Sequence, residues 1–177
     1  ALNQAGLNCF LSLVLAKKCG VEDEHVDYAI DKANEFFGFY IDKGTIPYGH
    51  HKPNWKNHDD NGRNSILTVA FSVQADTGAN KGVDPNAERG SDFFSRMVVA
   101  SYGERERGHT GNYWSYLWGG PGAYRAGKHA LAEFLKRQRW YYDLARKWDG
   151  SFAYQGGAAA SGGEHKYGGW DLRSEER

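Results

Sequence analysis

The densest group of ionisable side chains is the segment Gly49–Asn64, GHHKPNWKNHDDNGRN, which holds His50, His51, Trp55, His58, Asp59, Asp60 and Arg63. Three kinds of chemistry suit it. Asp59, Asp60 and Asn61 can cap the helix that follows and favour its positive end. His58, with Asp59 or Asp60 and with His50, offers imidazole and carboxylate donors of the type that hold zinc or manganese, although the spacing fits no standard ligand motif. Alternatively, His58 or Asp59 carries a proton in acid–base work, with Arg63 and Trp55 binding the substrate. No cofactor other than that divalent metal is expected.

A second group runs from Glu104 to Trp114, ERERGHTGNYW. Alternating Glu and Arg in a loop usually form a solvated ion-pair network. His109 stands at the start of the next helix, with Thr110 as a natural cap and Asn112, Tyr113 and Trp114 following. The plainest reading of His109 is a histidine that caps a turn; His109, Asn112, Tyr113 and Trp114 together are candidate site residues. Trp114 and Trp118 are four residues apart and share one helical face. Aromatics on such a face stack on sugar rings, stabilise cations, or simply pack. The break Gly119-Gly120-Pro121-Gly122 is costly inside a helix, about 1 kcal/mol for Gly and 3 for Pro relative to Ala. A kink there is expected to serve either close helix approach or room for a ligand.

The elements that must position these groups read as helices. Gly6–Gly20 is apolar nearly all round, as in a helix buried on several sides. Glu24–Tyr40 has a one-sided stripe through Val26, Ala29, Ile30, Ala33, Phe36, Phe37 and Tyr40, as in an outer helix. Gly62–Gly78 is again apolar, and Ser91-Asp92 caps a one-sided helix with Phe93, Phe94, Met97 and Val98. Gly111–Gly127 is the third apolar segment. Its partner, Lys128–Trp148, carries Leu131, Phe134, Leu135, Tyr142 and Ala145 on one stripe and ends at Asp149-Gly150-Ser151-Phe152.

The register repeats. The opening glycines Gly6, Gly62 and Gly111 are 56 and 49 residues apart, and the turn tyrosines Tyr48, Tyr102 and Tyr154 are 54 and 52 apart. A period near 50 residues, built from one buried and one amphipathic helix, indicates stacked helical hairpins. The expectation is an all-α chain of about three hairpins, at residues 6–49, 62–103 and 111–156, with 157–177 opening a further one. Apolar first helices and one-sided second helices suit an inner and an outer layer, with polar residues gathered at the inner-helix starts.

This pattern resembles the α/α toroid shared by terpenoid cyclases, protein prenyltransferases and many glycoside hydrolases and polysaccharide lyases. Asp149-Gly150-Ser151-Phe152 looks like the turns that precede inner helices in the terpenoid-cyclase branch. Tyr102–Asn112 is similar to an uncharacterised toroid-type domain of large bacterial proteins. The order His109-x-x-Asn112-Tyr113-Trp114 loosely resembles a motif of toroid-fold alginate lyases, whose order of Asn and His differs. What that resemblance implies is an Asn that neutralises a uronate carboxylate and a His and Tyr that move protons. A whole toroid has about five to seven hairpins, so the remainder of a longer chain or other subunits would complete it.

Bulk composition narrows the function classes. The 22 basic and 22 acidic residues cancel, which disfavours a general nucleic-acid or membrane-surface binder. No apolar run is long enough to span a bilayer. The chain starts within an apolar helical pattern and its one Met is Met97, so it reads as cut from a longer precursor. Cys9 and Cys19 are about 15 Å apart along one helix and read as buried, unbridged side chains. The compartment stays open, with a periplasmic or extracellular setting favoured. Three functions follow. The first is a carbohydrate-active enzyme; a hydrolase needs two carboxylates about 5–10 Å apart, a lyase a Tyr or His beside a carboxylate-neutralising group. The second is a non-catalytic binding or scaffold domain. The third is a cyclase-like enzyme, for which the Asp59-Asp60 pair lacks the usual acidic context.

Overall fold

The computed structural model describes residues 3–47, 49, 52–53, 60–76, 86–101 and 111–151. The described residues are all-α, with no strand: α1 (Asn3–Lys18), α2 (Glu24–Gly38), α3 (Asp60–Ala75), α4 (Ala87–Ala100), α5 (Gly111–Tyr124) and α6 (Lys128–Ala145). Among them no helix is long and apolar enough to cross a membrane.

Local chemistry sets several of the ends. Gly20 adopts φ +91° and its N–H donates to the Lys17 carbonyl while Val21 N–H donates to Ala16. That pair of bonds is a Schellman stop, which needs a left-handed residue at this place. Asp23 starts α2 by accepting from the His25 and Val26 amides at 2.7 and 3.3 Å, satisfying two of the helix's orphan donors. After α6, the Asp149 carboxylate accepts from both the amide and the hydroxyl of Ser151, and these two bonds hold its carboxyl below the usual range.

α3 is the centre of the packing and touches α1, α4 and α5. A Cβ placed on Gly122 of α5 would lie 2.9 Å from the Ser65 Cα, so α5 crosses α3 there. Three residues further on, Arg125 pairs with Asp76, just past the end of α3, at 3.3 Å. If α5 ran against α3, Arg125 would lie roughly 20 Å from Asp76 along the axis, beyond its reach. α5 therefore runs in the same sense as α3. Arg125 also donates to Ser91 Oγ near the start of α4, which places that start at the far end of α3. From there α4 runs back, with Phe94 stacked on Phe71 at 6.2 Å and Val98 in one cluster with Ala123 and Phe134.

The first pair joins on the other flank. Phe10 meets Phe71 edge-on at 5.9 Å and stacks on Phe37 at 5.6 Å, and Asn34 of α2 exchanges hydrogen bonds with Gln74 of α3. Asn3 donates to the Pro47 carbonyl, and Asn64 accepts from the Ile46 amide. The starts of α1 and α3 thus meet on one turn, and α1, α3 and α5 begin toward a common end.

Several sequence expectations change. α4 begins at Ala87, so Ser91 and Asp92 lie inside it: Ser91 is buried under Arg125, and Asp92 pairs with Arg96 one turn on. α5 passes unbroken through Gly119–Gly122 with Pro121 inside it. The close approach to Ser65 is the use these small residues find. Cys9 and Cys19 are exposed and unbridged, because Cys9 faces a flank of α1 that no described helix covers. Leu135 is exposed as well, since α6 is the last described helix and packs mainly on α5 and α4.

Gly90 makes the second close approach: a Cβ there would fall 2.7 Å from the Phe71 ring. That ring is fully buried between Phe10 and Phe94 and has little room to yield. Gly90→Ala is expected to destabilise the protein by about 1–2 kcal/mol, read as a lower denaturation midpoint at unchanged slope.

Candidate functional site

At the common end of α1, α3 and α5 the interior is polar. Arg63, Asn64, Ser65 and Thr68, all within the first nine residues of α3, have no solvent exposure. A buried polar group is costly unless hydrogen-bonded, and this layer finds its partners in the chain between α2 and α3. Arg63 Nε donates to the Ile46 carbonyl at 2.8 Å, while Asn64 Oδ1 accepts from the Ile46 amide at 3.4 Å. Asn3 Nδ2 donates to the Pro47 carbonyl at 2.7 Å. Thr68 Oγ1 donates back to the Asn64 carbonyl at 2.8 Å. Three side chains thereby grip two successive residues of backbone. Tyr40 lies beside them, fully buried. Burial pushes its phenol above the usual range, against a smaller opposing effect of its hydrogen bond with Asn3.

Among the described residues of this region, two donors, Asn64 Nδ2 and Trp118 Nε1, are buried without a hydrogen-bond partner. Trp118 packs by its ring against the main core cluster. Its place on α5 follows from Gly122, four residues later and on the same helical face, which lies over Ser65. Because α5 runs with α3, Trp118 stands at the height of the first turns of α3, level with Arg63 and Asn64.

The site residues expected from sequence divide accordingly. Arg63 and Trp118 come to the same end of the helix row. Asn112, Tyr113 and Trp114 lie in the first turn of α5, and only their backbone is described. Trp55, His58, Asp59 and His109 lie outside the described residues, as do His50 and His51. In sequence, Asp59 adjoins the first residue of α3, and His109 stands two residues before the first of α5. Among the described residues no group of three His, Cys, Asp or Glu is placed to hold a metal. Sequence reasoning missed Asn3 and Asn64. The signal available for Asn64 was a polar Arg63-Asn64 pair heading an otherwise apolar stretch.

A family model described as "Domain of unknown function (DUF6288)" matches residues 1–174 of the chain. No curated protein and no solved structure matches it.

Proposed function

The chain belongs to the DUF6288 family, whose description carries no activity, and on that premise we propose that it is a carbohydrate-active protein of the polysaccharide-lyase type. In this reading α1, α3 and α5 form the inner wall of an arc and α2, α4 and α6 its outer layer. The arc is part of an α/α toroid, completed by the remainder of a longer chain or by other subunits. The ligand is an acidic polysaccharide, bound at the end where the inner helices begin.

The observation that carries the reading is the shared sense of α3 and α5. It brings their starting ends to one side of the molecule, beside a buried polar layer that includes Arg63. The segments joined to those starts hold His58 and Asp59 in one case and His109 in the other. His109 and Tyr113 are assigned the proton transfers, Asn112 and Arg63 the acidic group, and Trp55 and Trp114 the sugar faces. A lyase is preferred to a hydrolase because His109, Asn112 and Tyr113 supply proton carriers and a neutralising amide without requiring a carboxylate pair.

The test is a screen of polyuronates for unsaturated products by ultraviolet absorbance. Turnover by the unaltered protein is expected, with a loss of about a hundredfold in His109→Ala. Equal rates in the variant and its parent remove His109 from the chemistry. Binding without turnover reassigns the protein to a non-catalytic carbohydrate-binding scaffold.

A further inference from the structure

The geometry points to Asn64 Nδ2 and Trp118 Nε1 as a pair of donors for a ligand oxyanion, a two-point site formed between α3 and α5. The inference rests on the proposed binding face and names its recognition groups.

A buried N–H without an acceptor is rare, because it forfeits the hydrogen bond it had with water. Here there are two, on adjacent helices, and both are donors. Asn64 has no solvent exposure at all. Their heights agree. Asn64 precedes Ser65 by one residue, about 1.5 Å along α3, and Trp118 precedes Gly122 by four, about 6 Å along α5. With Gly122 seated on Ser65, the two residues lie within about 5 Å of one level.

The amide of Asn64 is held from its other side. Its Oδ1 accepts from the Ile46 amide, which directs the oxygen to the backbone and leaves the NH₂ group as the unused half. The indole of Trp118 offers a single donor and no acceptor. A pair made only of donors selects a group made only of acceptors, such as a carboxylate or a sulfate, over a hydroxyl. The Arg63 guanidinium, one residue from Asn64 and fully buried, adds positive potential in a region of low dielectric, where it acts strongly. The acidic group of a uronate or a sulfated sugar has the matching chemistry.

The experiment uses the ¹⁵N-labelled protein and follows the Trp118 indole and Asn64 side-chain amide resonances during two titrations. One probe is sodium sulfate, the other a short oligogalacturonate. Both resonances are expected to shift together, saturably, with the oligosaccharide. Trp118→Phe keeps the ring and removes only the N–H, and is expected to weaken binding about tenfold or more. Asn64→Asp keeps the oxygen that Ile46 uses and replaces the donor with a like charge, and is expected to weaken it further. If both resonances respond to sulfate while the oligosaccharide has no effect, the oxyanion pair stands and the carbohydrate reading falls. If the oligosaccharide binds but neither resonance moves and Trp118→Phe binds like the parent, the pair is refuted while the binding face survives. If neither probe moves either resonance, the donors are satisfied by a buried water and the inference is overturned.

Discussion

Gly122→Val is expected to cost about 3–4 kcal/mol of stability, a large share of what a domain of this size has. The reason is where the first added atom goes. A Cβ at Gly122 meets the Ser65 Cα at 2.9 Å and its Cβ at 3.0 Å. The nearest obstacle is backbone and cannot rotate away, so the α3–α5 pair must separate along its length. α3 also carries α1 and α4, so the separation disturbs the whole core. Gly120 is the internal control. It sits two residues away in the same helix with nothing within 4 Å of an added Cβ. Gly120→Ala is expected to gain about 0.5–1 kcal/mol by restricting the unfolded chain and favouring the helix. Urea unfolding of the two variants checks the contrast. Equal midpoints for Gly122→Val and the parent would show that α3 and α5 do not touch at Ser65.

Arg63→Ala is expected to lower stability by about 3–5 kcal/mol. Arg63 is among the largest side chains with no exposure, and its Nε bond to the Ile46 carbonyl is one of the ties that fix the chain entering α3. Truncation leaves a cavity, loses a charge-assisted bond and strands a buried carbonyl. Arg63→Lys is expected to recover only part of the loss, because an ammonium on a flexible stem does not reproduce the guanidinium fork. Denaturant melts give the order parent, Lys, Ala. A Lys variant as stable as the parent would show that charge alone, without the Nε donor, suffices at this place.

Much of the helical outline was legible from punctuation and stripe. Gly20 with the preceding lysines marked the end of α1, and the apolar face through Phe36 and Phe37 marked α2 as one-sided. Both rest on local rules. The misreadings occurred where a distant contact outweighed a local one. Ser91-Asp92 has the chemistry of a helix start, yet Ser91 is used by Arg125 from α5, and the helix has begun four residues earlier. Gly119–Gly122 has the composition of a break, yet the helix runs through it; the close approach expected as one of its uses is made, to Ser65, a residue 57 positions from Gly122. Cys9 was read as buried because its neighbours are apolar, and a single helix does not show which of its flanks will be covered. At the candidate site, Arg63 and Trp118 stood out by type, whereas Asn64 did not. An asparagine near a helix start reads as a cap, and only the packing of α5 on α3 gives its amide another meaning.

Pro121 has a consequence beyond its neighbours. The ring has no N–H, so the carbonyl of Leu117, four residues earlier, receives no intrahelical bond. Both Leu117 and Pro121 are exposed, so water can serve that carbonyl, whereas the opposite side of the helix, at Gly122 and Ala123, is dry. A prolyl ring on the wet side favours an axis bowed toward water, concave toward the neighbouring helix, because kinks form at proline. In an inner wall of the kind proposed, helices bowed in this way would themselves supply part of the curvature.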